Sequence, residues 1–139
     1  MTLKSAPGAA GLVLTLALAF GPAQAATAQC PAKTTLSDDV VAALKEAKGC
    51  DVAMKVFQAC QYGASGDTEF GEIVEKKCEA DFLDKASALK KQAYKRELRL
   101  CDLKYRNRSG TMYISFTASC RAQVAQRYSQ RMRKAAKAR

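Results

Sequence analysis

The sequence predicts an all-α fold, a small disulfide-stapled helical domain of about five helices that ends in a C-terminal helical hairpin. Two observations predict this class. After residue 36, apolar side chains recur three and four residues apart, which is the period of one helix face. Six cysteines are present, and Cys101 and Cys120 lie at nearly equal distances from a Ser109-Gly110 pair. Two antiparallel helices joined by a short turn have this symmetry.

Residues 1–25 are predicted to be a signal peptide rather than part of the fold. Lys4 precedes the apolar run 11–20, and an Ala-Gln-Ala cleavage signal follows at 23–25. Cleavage as late as residue 28 is an alternative. The run is too short to span a bilayer comfortably. Residues 29–139 then form a single helical domain with a basic C-terminal tail and no transmembrane segment, located in the periplasm or secreted from a bacterium.

Three helices are predicted in the first half of this domain. The first begins at Ser37, which is a capping residue type, and ends before Gly49. The second begins at Asp51 and ends by Gly63, and the third begins near Asp67. An apolar stripe on the third is expected in the core: Phe70, Ile73, Val74, Cys78 and Phe82. Charged residues on its other side are expected to face water: Glu69, Glu72, Glu75, Lys76 and Glu79.

Two helices are predicted in the second half. The fourth is capped by Ser87 and runs to about Tyr105. The residue types after Gly110 favour a strand, yet the apolar ones step by four, which only a helix gathers on one face. That stripe is Met112, Phe116, Cys120, Val124, Tyr128 and Met132. We therefore expect a fifth helix with a frayed cationic tail.

All six cysteines lie after residue 28, and an even count in a short exported chain implies a disulfide framework. Six cysteines allow 15 connectivities. A 50–60 bond is excluded, because one helix of about 15 Å separates the two residues. The symmetry about the turn favours 101–120. We expect 60–78 across the loop between the second and third helices, and then 30–50 by default.

No histidine occurs in the chain, and no C-x-x-C motif occurs either. The first absence removes Ser-His-Asp and Cys-His nucleophile systems and His-ligated metals, and the second argues against redox dithiols, zinc knuckles and iron–sulfur sites. The few carboxylates near the basic half follow no recognisable catalytic motif. We therefore expect a protein that is not an enzyme, with no catalytic residues, no metal site and no cofactor.

Charge divides the domain into an acidic and a basic half. Residues 29–84 hold 6 basic and 11 acidic side chains, and residues 85–139 hold 16 basic and 2 acidic ones. The surplus favours an anionic partner, although a solvated face that only balances the acidic half is the alternative. The candidate binding residues are Lys104, Arg106, Arg108, Arg121, Arg127, Arg131, Arg133 and Lys134. Tyr105 and Tyr113 lie among them and can stack or anchor.

The tract from Cys78 to about Met132 resembles the C-terminal part of the lysozyme-inhibitor LprI-type domain, over about half of the mature chain. The matching parts are Gln92-Ala93-Tyr94-Lys95-Arg96-Glu97 before Cys101, Ser109-Gly110-Thr111-Met112 at the turn, and Cys120 followed by Arg127. This chain has no tryptophan, where the family typically has one. The resemblance implies an exported helical domain, and some members of the family inhibit lysozyme.

Two function hypotheses follow. The first is an exported, periplasmic, disulfide-stabilised helical binding protein, with a lysozyme-inhibitor-like module as its specific form and an unknown protein, such as lysozyme, as partner. The alternative is a cationic protein that binds an anionic polymer or membrane surface of the cell envelope through its basic C-terminal half. Nucleic acid is disfavoured as a partner because the predicted address lies outside the cytoplasm.

Overall fold

A computed structural model describes residues 29–138, so the predicted signal peptide lies outside the described residues. Its elements are five helices: α1 Ser37–Glu46, α2 Cys50–Cys60, α3 Asp67–Glu79, α4 Ala88–Tyr105 and α5 Thr111–Lys137. No strand is present between residues 29 and 138. The predicted all-α class with a C-terminal hairpin is therefore confirmed. None of the described helices is both long and apolar enough to cross a membrane.

Local signals place most helix ends as predicted. The Ser87 side chain accepts a hydrogen bond from the Lys90 N–H and caps α4. Gly49 and Gly110 precede α2 and α5 with φ angles of 84° and 109°, which other residue types rarely adopt. Ser37 differs from the prediction: it is the first helical residue of α1, and Leu36 occupies the cap position without a side-chain hydrogen bond.

Helix α5 lies at the centre of the fold, between α3 and α4, while α1 and α2 pack against α3. At 27 residues, α5 is about 40 Å long. Its contact with α3 is very close, because a Cβ atom added to Gly71 would lie 2.9 Å from the Ala118 Cβ. Glycine at 71 therefore sets the distance between these two helices.

That close contact explains where the predicted core of α5 is wrong. Its buried face is made of small residues, namely Ser115, Ala118, Ala122, Ala125 and Ser129, together with Val124. Met112 and Phe116 belong to the predicted stripe but are exposed. Large side chains do not fit between helices that approach this closely. Only the C-terminal part of the stripe packs inward, where Tyr128 stacks with Phe82 and Tyr94 at centroid distances of 5.6 and 5.1 Å.

Three disulfides close the domain, and one of them is the predicted one. Cys101–Cys120 staples α4 to α5. The predictions 60–78 and 30–50 are wrong, since the bonds are Cys30–Cys60 and Cys50–Cys78. The reason is the antiparallel arrangement of α2 and α3: residue 50 at the start of one helix lies level with residue 78 at the end of the other. Cys60 is then left for the N-terminal segment.

The basic tail is helical over most of its length. Helix α5 continues to Lys137. Arg133 forms an ion pair with Asp51, and Gln126 and Gln130 each donate to the same carboxylate at 3.0 Å. These hydrogen bonds, with Gln130 first, hold the pKa of Asp51 below its usual value. They tie the C-terminal part of α5 to the start of α2.

Candidate binding surface

The eight predicted binding residues do not form one surface. Lys104, Arg106 and Arg108 lie at the turn between α4 and α5 and are exposed. Arg131, Arg133 and Lys134 lie near the other end of α5, roughly 30 Å away along its axis. The eight residues share the basic half of the sequence, but the length of α5 separates the two groups in space.

Three of the predicted binding residues form ion pairs within the domain. Arg127 contacts Glu97 at 3.0 Å, Arg133 contacts Asp51, and Arg121 contacts both Glu75 and Asp102 at 2.8 and 3.0 Å. The acidic partners come from α2, α3 and α4. These arginines therefore join helices of the domain to α5, and much of the charge attraction between the two halves is satisfied inside the molecule.

Arg121 is the most extensively bonded of the three. Its Nε and Nη2 donate to the two oxygens of Glu75 at 3.0 and 2.8 Å, and its Nη1 donates to Asp102. Glu75 was expected to face water but is buried. Burial raises the pKa of Glu75, and the Arg121 guanidinium opposes that shift. This bridge links α3, α4 and α5.

Asp67 is a second carboxylate with an internal role. It is buried, and its oxygens accept backbone N–H groups of the loop 61–66 from Tyr62, Gly63 and Ala64 at 2.8 to 3.3 Å. The Ser115 hydroxyl donates to it at 2.5 Å from α5. Asp67 therefore closes the α2–α3 loop onto the central helix, and it is not available to a partner.

An acidic groove runs between α3 and α5, beside the Arg121 bridge. Its volume is about 500 Å³, within the range of small-ligand pockets. Its lining is Thr68, Gly71, Glu72, Glu75, Lys76, Glu79, Asp102, Ile114, Thr117, Ala118 and Arg121. Glu79 accepts the Tyr94 hydroxyl at 2.9 Å, while Glu72 is exposed at the rim. Four carboxylates line the groove, and Arg121 pairs with two of them, Glu75 and Asp102.

The hairpin tip, defined as residues 100–116, differs from the rest of the basic half. Tyr105, Tyr113 and Phe116 form an aromatic cluster with centroid distances of 5.8 to 6.2 Å. Cationic groups lie over it, with Lys104 Nζ 5.1 Å from the Tyr105 ring and the Arg108 guanidinium 6.0 Å from the Tyr113 ring. The tip thus combines charge, aromatic rings and a short turn at one end of the domain.

The tip also contains five exposed apolar side chains, one of which belongs to the aromatic cluster, and the sequence did not predict their exposure. They are Leu100, Leu103, Met112, Ile114 and Phe116. Met112 and Phe116 carried a signal, since they continue the step-by-four stripe past the point where α5 meets α3. That signal was interpreted as core because periodicity alone does not show where a helix runs beyond its neighbours.

Comparison of the chain with protein-family models, with curated proteins and with solved structures found no match. The resemblance to the LprI-type domain therefore stays a prediction. Within residues 29–138, no group of three or more acidic or cysteine side chains is arranged to hold a metal ion. The six cysteines are all disulfide-bonded.

Proposed function

We propose that this chain is an exported, disulfide-stabilised helical binding protein whose hairpin tip binds an anionic component of the cell envelope. Three disulfides in a small domain are typical of proteins that fold in an oxidising compartment. The predicted signal peptide supports the same location outside the cytoplasm. The binding role rests on how charge is distributed over the folded domain.

The proposal depends on the exposure of the tip cations and on their absence from the ion pairs of the domain. Lys104, Arg106 and Arg108 are exposed, and none of the ion pairs found within residues 29–138 includes them. Asp102 is the one acidic residue of the tip, and Arg121 already neutralises it. The tip therefore presents three positive charges whose counter-charge comes from outside the molecule.

The direct test is salt-dependent binding of the purified protein to a soluble, lipid-free anionic envelope polymer, such as one released from peptidoglycan. We expect binding to weaken strongly between about 0.05 and about 0.5 M salt, because the Debye length falls to a few ångströms over that range. Arg106→Ala/Arg108→Ala should weaken binding at low salt by about 10- to 30-fold, at about 1 kcal/mol for each surface cation.

A matched control removes the same charge elsewhere. Arg131→Ala/Lys134→Ala alters two exposed cations near the opposite end of α5. This variant should retain most of the binding. If it loses binding and the tip variant does not, the tip is not the binding surface; if neither variant nor salt has an effect, the proposed function is wrong.

The acidic groove and the family resemblance together favour a second candidate, a lysozyme-inhibitor-like role. A groove rimmed by Glu72 and lined by Glu79 is complementary in charge to a basic protein. The protein as a whole carries the same sign as basic lysozymes, so association would depend on this local surface. An inhibition assay with several lysozymes tests it. Glu72→Lys should abolish inhibition, Glu46→Lys on the exposed end of α1 should not, and absence of any inhibition rejects this candidate.

A further inference from the structure

We infer that the hairpin tip docks on an anionic lipid surface, with its apolar side chains inserted among the headgroups and its cations on the lipid phosphates. This inference rests on the proposed function and names the envelope component that the tip recognises. A soluble polyanion would use only the charges. A lipid surface would use the charges and the apolar residues together.

The first argument is the clustering of exposed apolar residues. Nine large apolar side chains are exposed among residues 29–138, and five of them fall within the 17 residues of the tip. These five are 43 to 58 % exposed. Apolar residues grouped in this way mark a contact surface, whereas single exposed ones do not. The proposed contact must therefore be one that removes them from water.

The second argument is where these residues lie along the hairpin. Leu100 and Phe116 each lie five residues from the helix end that meets the turn, which corresponds to about 7.5 Å of helix axis. The other three apolar residues are closer to the turn. Peripheral helices bury their apolar groups about 5–10 Å into the boundary between headgroups and acyl chains. An end-on approach of the hairpin would therefore bring all five into that layer.

The third argument is the identity of the polar residues among them. Tyr105 and Tyr113 have rings with an apolar body and a polar hydroxyl, which suit the boundary between lipid and water. Lys104, Arg106 and Arg108 have long apolar stems that lie along apolar surface while the charged ends reach phosphate. No acidic side chain of the tip opposes an anionic membrane, because Asp102 is paired with Arg121.

The hairpin is also built to hold this end rigid. The Cys101–Cys120 disulfide and the Arg121–Asp102 ion pair join α4 to α5 at the base of the tip. A rigid tip loses little conformational entropy on docking. A second copy of the chain is a less suitable partner for the same surface, because two tips that each carry three cations against one carboxylate repel each other.

The chain has no tryptophan, which permits a direct test by fluorescence. Met112→Trp places a single reporter in the tip, and Leu89→Trp places one at the other end of α4 on a residue that is also exposed. Vesicles are phosphatidylcholine alone or phosphatidylcholine with about one third phosphatidylglycerol. We expect a blue shift and reduced acrylamide quenching for Met112→Trp with the anionic vesicles, and no change for Leu89→Trp or with phosphatidylcholine alone.

A second variant removes apolar contact and leaves charge unchanged. Leu103→Gln/Met112→Gln should reduce co-sedimentation with anionic vesicles by about tenfold or more. Leu36→Gln/Leu89→Gln, which changes two exposed residues outside the tip, should bind like wild type. Circular dichroism and urea unfolding confirm that each variant is folded.

The outcomes separate this inference from the proposed function. Loss of polymer binding in Arg106→Ala/Arg108→Ala, with no binding to anionic vesicles, keeps the proposed function and overturns the lipid inference. Vesicle binding that is unaffected by Leu103→Gln/Met112→Gln, with unchanged tryptophan emission, also overturns it, since the contact would then be electrostatic alone. A wild-type dimer that dissociates in Leu103→Gln/Met112→Gln would show that a second copy covers the patch, and would overturn it as well.

Discussion

The protein contains two antiparallel hairpins, each stapled by a disulfide, and they differ in what covers the connection. In the α2–α3 hairpin, the loop 61–66 is held by the buried carboxylate of Asp67 and bonded through it to Ser115 of α5. In the α4–α5 hairpin, the described hydrogen bonds at the turn 106–110 are backbone ones, such as Arg108 N–H to the Tyr105 carbonyl. The α2–α3 loop is therefore bonded to the central helix, while the α4–α5 turn projects from the domain.

The first hairpin stabilises this small domain, and the end of the second is available for contact. Cys50 and Cys78 are fully buried, whereas Cys120 of the second staple is half-buried. Two acidic side chains of the first hairpin, Asp67 and Glu75, are buried and make internal bonds. The end of the second hairpin exposes cations, aromatic rings and apolar side chains. Changes in the first hairpin should therefore affect folding, and changes at the end of the second should affect binding.

The largest predicted effect compares the two staples. Their sequence separations of 28 and 19 residues give similar chain-entropy contributions, about 3–4 kcal/mol each. Cys50→Ala/Cys78→Ala should cause the larger loss, a decrease of about 4–5 kcal/mol in the free energy of unfolding, because it also leaves a cavity in the core. Urea unfolding of both double variants measures the difference. A larger loss for Cys101→Ala/Cys120→Ala would contradict the comparison.

The next effect concerns the buried carboxylate of the first hairpin. Asp67→Ala should lower the free energy of unfolding by about 2–3 kcal/mol, because it leaves loop N–H groups and the Ser115 hydroxyl without their acceptor. Ser65→Ala is the matched control, since Ser65 is exposed in the same loop. We would measure both by thermal and urea unfolding. Equal stability of the two variants would show that Asp67 does not hold the loop.

A smaller effect is predicted in the pH dependence of stability. Burial raises the pKa of Glu75, so the folded state holds this proton more tightly than the unfolded chain does. The stability that protonated Glu75 contributes is fully present below the pKa that this group has in the unfolded chain. It is lost as the pH rises through the pKa of Glu75 in the folded protein. Glu75→Gln removes the titration, so wild type should lose stability relative to this variant over that window. A difference between the two proteins that is constant with pH would contradict the prediction.

The smallest effect on the free energy of unfolding is expected at the hairpin tip. Leu103→Gln should change the free energy of unfolding by less than about 0.5 kcal/mol, because the side chain is half exposed and lies beyond the core. Leu98→Gln, five residues earlier on the buried side of α4, is the matched variant and should cost several times more. Similar losses for the two would mean that the tip is part of the core and not a free surface.

Much of the fold was predictable because short-range signals set it. Gly49, Ser87 and Gly110 act on the backbone next to them, so the helix boundaries follow from local chemistry. The Cys101–Cys120 bond followed from symmetry about a short turn. The same symmetry applies to Cys50 and Cys78 about the loop 61–66, so that pairing was within reach of the sequence, and assigning bonds by nearest loop missed it.

The candidate site was less predictable. The tip cations were among the residues chosen from the sequence, but Arg121, Arg127 and Arg133 were chosen with them and make internal ion pairs. Which basic side chain meets a carboxylate depends on the packing of α2, α3 and α4 around α5, and the order of charges along the chain does not contain that information. The exposure of the apolar residues of the tip could not be predicted from the sequence for the same reason.

The sequence by itself determined the helical class, the five helices, the even set of cysteines and the excess of positive charge in the second half. Each of these depends on residue type and on neighbours within a few positions. Tertiary structure alone decided that Gly71 meets Ala118, that α5 buries its small residues, and that Met112 and Phe116 are left exposed. Side-chain periodicity shows which residues share a helix face, but only the approach of other helices decides which part of that face is covered.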